Sequence, residues 1–192
     1  MTCEIPSESE IPYVRFPEDP KIITVGDFKV FEYVNPSEMA KYVKILSDKV
    51  KLDNFDAVLV NMKGGMFLFE SLSRLQGYSK NPVKIEYHRP ENAYGATIVT
   101  PVPPELRNLK LLTVDDIYDS GGVFRAIMAD SGPSSEAVAF VTKTGIPNQI
   151  QIPNMTIGLK IDDKWVGGCG MDLGVPDEEN TFRNYPGLVV KI

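Results

Sequence analysis

At 192 residues, with 43% hydrophobic and 24% charged side chains, the chain is long enough for one well-buried domain and ordinary in composition for a globular protein. A formal net charge of −6 argues against non-specific attraction to nucleic acid or to an anionic membrane, so neither is expected as a partner. Two cysteines, Cys3 and Cys169, make no disulfide framework, no apolar run reaches membrane-span length, and no basic-then-apolar leader is visible. The expected setting is therefore the cytoplasm. His88 is the only histidine, which leaves zinc without its usual ligands.

Residues 1–20 carry Pro6, Pro12, Pro17 and Pro20 in acidic surroundings and read as an extended arm. Lys21 to Val34 is rich in β-branched and aromatic residues, with Gly26-Asp27 as a hairpin turn. Asn35-Pro36-Ser37-Glu38 has the form of a helix start: a capping side chain, a proline in the first turn and an acid three residues on. Met39, Val43, Leu46 and Val50 follow at helical spacing and should face the core. Strands are then expected at 57–60, 83–87, 109–114, 137–142 and 155–160, with helices at 65–76, closed by Gly77, and at 122–130. This alternation predicts an α/β fold with a mainly parallel five-stranded sheet and helices on both faces. The proline- and glycine-rich stretch 88–106 is long for an idle connection and is expected to act as a flexible lid loop.

The densest chemistry lies in LKLLTVDDIYDSGGV (109–123). An apolar strand runs into Asp115 and Asp116, Asp119 follows three residues later, and Ser120-Gly121-Gly122 leads into a helix. Such a turn offers backbone N–H groups and a positive helix end to a phosphate. The carboxylates beside it can accept hydrogen bonds from sugar hydroxyls or hold a hard cation. A receiver-like or flavodoxin-like domain also clusters acids at a strand end, but gives no reason for Ser-Gly-Gly directly after the third acid.

VDDIYDSGG resembles the 5-phosphoribosyl-1-pyrophosphate (PRPP) signature of type I phosphoribosyltransferases. VLVNMKGGMFLFESL, VAFVTKTG and IDDKWVGGCGMD are similar to three further segments of the purine members, the hypoxanthine-guanine and xanthine-guanine phosphoribosyltransferases. The resemblance implies the type I phosphoribosyltransferase fold with a small hood, divided as residues 1–34 (arm and hood elements) and 35–192 (core) within a single domain. It also implies purine salvage: transfer of phosphoribose from PRPP to N9 of a 6-oxopurine, with Mg²⁺ as cofactor and a homodimer or homotetramer as the assembly.

Residue by residue, the resemblance gives Asp115 and Asp116 to the ribose hydroxyls, Asp116 also to Mg²⁺, and Asp119 to the purine N7 proton as the catalytic base. Ser120, Gly121, Gly122 and Val123 fall to the 5-phosphate, although Val123 stands where a threonine is usual. Lys63, Gly64 and Arg183 fall to pyrophosphate, and the family often has a cis peptide bond at the position of Met62–Lys63. Lys143 is given the purine 6-oxo group, Trp165 the base face, Val166 the 2-position, and Asp172 a second Mg²⁺. Tyr87 corresponds to a lid tyrosine, but Glu86 precedes it where serine is usual, and the stretch after Asp172 is longer than in human-type enzymes. Rival readings are a sensor of PRPP or nucleotide on the same fold with weak catalysis, and a transferase for another base such as orotate or adenine. Lys143, Trp165 and Val166 speak against the second.

Overall fold

The computed structural model of the chain describes residues 11–88, 96–173 and 182–192. Cys3, Pro6, most of the 173–182 loop and residues 89–95 of the expected lid lie outside them. In chain order the parallel strands are β1 (Tyr13–Val14), β4 (Ala57–Asn61), β5 (Val83–His88), β7 (Leu111–Tyr118), β8 (Glu136–Lys143) and β9 (Met155–Ile161). β6 (Thr97–Thr100) adds an antiparallel edge. The resulting sheet has seven strands in the order β1-β9-β8-β7-β4-β5-β6. The five-stranded expectation therefore misses the two edges. β1 is two residues long, too short to carry a readable period, and β6 lies inside the stretch read as a lid loop.

Both faces of the sheet are covered. Val58, Val60, Leu112 and Val114 pack against Met39, Val43 and Leu46 of α1 (Pro36–Lys49) and Leu68 and Leu72 of α2 (Gly65–Gln76). The alternate residues Leu59, Ile85 and Leu111 meet Ile127 of α3 (Gly122–Ser131) on the other face. Period-2 alternation with apolar residues on both sides is what a buried parallel sheet demands. α1 starts as its sequence predicts: the Asn35 side chain accepts from the Glu38 N–H at 3.0 Å, and Glu38 accepts in return from the Asn35 N–H at 3.3 Å.

A second sheet, in the order β10-β11-β3-β2, is built from β2 (Ile22–Val25), β3 (Phe28–Val34), β10 (Val166–Gly167) and β11 (Leu188–Lys191). This second sheet draws on strands from both ends of the chain.

Two differences bear on the site. β7 does not stop at Val114; Asp115 pairs with Ala139, and Ile117 and Tyr118 pair with Val141 and Thr142 of β8, so both acids lie inside a buried strand. Within 88–106, Thr97–Thr100 forms β6, Val102 is buried, and Pro104–Leu106 makes a 3-10 turn, so the described part of the expected lid loop has secondary structure of its own.

From β4 the chain passes through α2 to β5 on one side, whereas β7 lies on the other side and leads on to β8. The winding direction changes between β4 and β7, and in open α/β sheets ligands bind beyond the strand ends at such a point. The Lys63-Gly64-Gly65 turn after β4 lies across this crevice. A Cβ on Gly64 would fall 2.0 Å from Asp116 Oδ2, so only glycine permits the turn to close against β7. We expect Gly64→Ala to lower stability by about 1–3 kcal/mol, the usual cost of overpacking, read as a fall in Tm. An unchanged Tm would show that turn and strand are not in contact in solution.

Candidate functional site

Asp115 and Asp116 sit side by side at the carboxyl end of β7, both buried. Asp115 accepts from Asn61 Nδ2 at 2.8 Å and from the Asp116 N–H at 2.9 Å. Burial pushes the Asp115 carboxyl well up from the ordinary range, and the neighbouring Asp116 charge adds to this, against the hydrogen bonds just named. Burial also raises Asp116, opposed by hydrogen bonding and by the Arg183 guanidinium. Asn61, which the sequence reading missed, also donates to Tyr87 O at 3.2 Å and accepts from Tyr87 N–H at 2.9 Å. One amide therefore ties together the ends of β5, β4 and β7. Its available signal was a polar residue closing the apolar strand AVLVN.

The Met62–Lys63 peptide bond is cis, as the family resemblance implies. Lys63 and Gly64 border a cleft together with Asn61, Asp115, Asp116 and Arg183. Arg183 pairs with the Asp172 carboxylate and donates to Gly170 O, while the Gly170 N–H donates to Arg183 O at 3.0 Å. The turn carrying this pair has positive φ at Gly168, Cys169 and Gly170. A Cβ on Gly170 would lie 2.2 Å from Gly64 O, so this C-terminal turn rests directly on the Lys-Gly-Gly turn. Arg183 is thereby brought into the site despite the long stretch that precedes it.

Across Asp116 and Arg183 lies a second cavity, bordered by Asp119, Lys143, Trp165, Val166 and Asp172. The volumes, about 190 Å³ here and about 400 Å³ for the cleft, together fall within the roughly 300–1,000 Å³ usual for small-molecule sites. Lys143 ends β8, is 9% exposed, and points its ammonium toward Asp163 (3.4 Å) and the Trp165 ring (5.8 Å from its centroid). Trp165 is 64% exposed, an unusual amount of bare aromatic surface beside a cavity, and therefore open to stacking. Val166 is buried, its backbone fixed by β10–β11 pairing opposite Val190.

The bend from Asp119 to Val123 leads from β7 into α3. Its carbonyls are occupied: Gln149 Nε2 donates to Asp119 O at 2.7 Å, and Ile150 N–H donates to Ser120 O at 2.9 Å. Ser120, Gly121 and Gly122 are buried, Gly121 against Ile150. Neither α2 nor α3 has a side-chain cap at its start, whereas α1 has a complete capping box. The uncapped N–H groups of both first turns are the donors an anion needs. The Val123 side chain packs into the apolar cluster beneath α3, so this residue has only its backbone to offer a phosphate.

Tyr87 borders the cleft. Strand alternation turns its ring inward to 1% exposure, and its hydroxyl donates to Asp130 Oδ2 at 2.5 Å. Burial pushes the hydroxyl pKa up to about 12, and the Asp130 hydrogen bond adds to this. Its neighbours Glu86 and His88 also line the cleft.

Among the described residues no group of three or more histidine, cysteine or acidic side chains could hold a metal ion. A preformed cage is thus not available from these residues alone. Two buried, adjacent carboxyl groups at the cleft do fit a hard cation that arrives with phosphate oxygens and takes one or two protein ligands, since a cation favours their ionised form against the upward push of burial.

No family model matches the chain, and no curated protein does. Solved structures with this architecture do. A hypoxanthine-guanine phosphoribosyltransferase from Bacillus anthracis is 17% identical at TM-score 0.65, with 90% of this chain and 98% of that one covered. A hypoxanthine phosphoribosyltransferase from Trypanosoma cruzi complexed with the product IMP is 16% identical at TM-score 0.65, covering 92% and 93%. A hypoxanthine-guanine-xanthine phosphoribosyltransferase is 17% identical at TM-score 0.65, covering 84% and 96%. The chain has the type I phosphoribosyltransferase fold, in the form these purine enzymes share.

Proposed function

We propose that the chain is a purine phosphoribosyltransferase that moves phosphoribose from PRPP to N9 of a 6-oxopurine, releasing pyrophosphate. The observation that carries this reading is the pair of cavities meeting at Asp116 and Arg183. One has an exposed indole and an ammonium for a base; the other has a cationic, N–H-rich turn for an anion.

In this reading the sugar lies across Asp115 and Asp116, whose carboxylates accept from its 2- and 3-hydroxyls. The 5-phosphate rests on the backbone N–H groups of Ser120, Gly121, Gly122 and Val123 at the start of α3. Lys63, Gly64 and Arg183 hold pyrophosphate. Trp165 stacks on the base, the Lys143 ammonium donates to O6, and the Val166 backbone meets the 2-position. As the bond from C1 to pyrophosphate breaks, positive charge grows on the ring and negative charge on the leaving group, so fixed dipoles and charges lower the barrier without a covalent intermediate. Asp119 takes the N7 proton, which leaves N9 the better attacking atom. Asp116 and Asp172 are the residues that would hold Mg²⁺, which when bound neutralises charge on pyrophosphate. A homodimer or homotetramer in the cytoplasm is the assembly and setting that goes with this activity.

Pyrophosphate release measured over a panel of bases, with PRPP and Mg²⁺, tests the function. Hypoxanthine, guanine or xanthine should support it and adenine and orotate should not. Release with orotate alone would point to a different base site, and no release with any base would leave a ligand sensor as the better reading. Asp119→Asn should lower kcat by about 10²–10⁴-fold, the usual contribution of general acid–base catalysis, with PRPP affinity kept. Equal turnover would remove Asp119 from the proton-transfer role. Lys143→Gln should raise KM for 6-oxopurines by roughly tenfold or more, as for a lost charged hydrogen bond, and an unaltered KM would mean that O6 is bound elsewhere.

A further inference from the structure

We infer that His88, oriented by Glu86, is an additional pyrophosphate-binding residue of this chain; the inference rests on the function proposed above. His88 Nε2 lies 2.8 Å from Glu86 Oε1, both at the end of β5. Both line the same cleft as Lys63, Gly64, Asp115, Asp116 and Arg183. Since a carboxylate only accepts, the ring presents its Nε2–H to Glu86, which leaves Nδ1 for a second partner.

The charge on the cleft walls makes that partner an anion. Among the described residues, Lys63 and Arg183 are the cations on the cleft walls, and Asp115 and Asp116 are biased toward their protonated forms. That leaves Glu86 as the carboxylate a polyanion would meet unless a positive group joins it. Glu86 faces outward with 34% of its side chain exposed, and its neighbour on the cleft wall is the imidazole. When pyrophosphate arrives, Nδ1 takes up a proton from solvent and donates to a phosphate oxygen, while Glu86 stabilises the imidazolium from the other side. Glu86 acts as the positioning residue; on its own it would repel the same ligand. His88 is half-exposed, at 52%, so it can reach a ligand and tolerates replacement without loss of core packing.

Titration calorimetry of the full chain with magnesium pyrophosphate tests this, using wild type, His88→Gln and Glu86→Gln. Wild type should bind with net proton uptake, seen as a dependence of the heat on buffer ionisation enthalpy. His88→Gln should bind roughly tenfold more weakly, the effect of one charge-assisted hydrogen bond, and should lose the uptake with Tm unchanged. Glu86→Gln, which keeps an acceptor for Nε2–H, should change affinity less than His88→Gln does. In turnover, His88→Gln should raise the inhibition constant of pyrophosphate while leaving KM for the base alone. Binding by His88→Gln equal to wild type, with uptake retained, would overturn the inference and leave the proposed activity standing. Weakening confined to Glu86→Gln would also overturn it, because Glu86 would then be acting as a cation ligand. A wild-type chain that binds neither pyrophosphate nor PRPP would defeat the proposed function and this inference together.

Discussion

The site depends on two adjacent carboxylates held inside a parallel strand. Burying one ionised carboxylate costs several kcal/mol without a partner, and Asp115 and Asp116 are buried next to each other. The fold contains this by giving Asp115 a side-chain amide and a backbone N–H, and Asp116 the field of Arg183. Both groups remain biased toward the protonated form. A ligand that brings hydroxyl donors or a cation relieves that bias, so the energetic demand of the buried pair is also its affinity for such a ligand. Three chain segments converge to meet the demand: the turn after β4, the turn at 168–172, and Arg183.

Those segments are tied to one another by close backbone approach. Gly64 lies against Asp116, and Gly170 lies against Gly64. The two cavities therefore share a wall built from residues more than a hundred positions apart. In the proposed reaction that wall separates the base from the leaving group. In the same region α2 and α3 leave their first turns without side-chain caps, while α1 does not. With glycine at both N-caps, the missing side-chain caps cost only about a few tenths of a kcal/mol each, offset when an anion takes the cap's place.

Much of this was legible in the sequence because local rules and tertiary demands agree. The Asn35–Glu38 capping box, the helix from Gly65 to Gly77 and the apolar alternation of the central strands each follow from short-range chemistry. The acid cluster and the glycine turns were visible as residues that no buried strand or ordinary loop would choose. What escaped was decided by long-range pairing. β7 runs on past its acids because β8 lies beside it, and the Tyr87 ring turns inward because Asp130 on α3 receives its hydroxyl. β6 belongs to a segment whose composition reads as loop, and its strand form comes from pairing with β5. Asn61 looked like the end of a strand, and only the arrangement of three strands gives it a role.

Where a nucleotide lies is measured most directly by a crystal structure of the chain with a purine nucleoside 5′-monophosphate. The phosphate should lie on the backbone N–H groups at 120–123, the ribose hydroxyls on Asp115 and Asp116, and the base against Trp165 with O6 beside Lys143. Density for the phosphate anywhere other than the start of α3, or a base lying away from the indole, would contradict this placement.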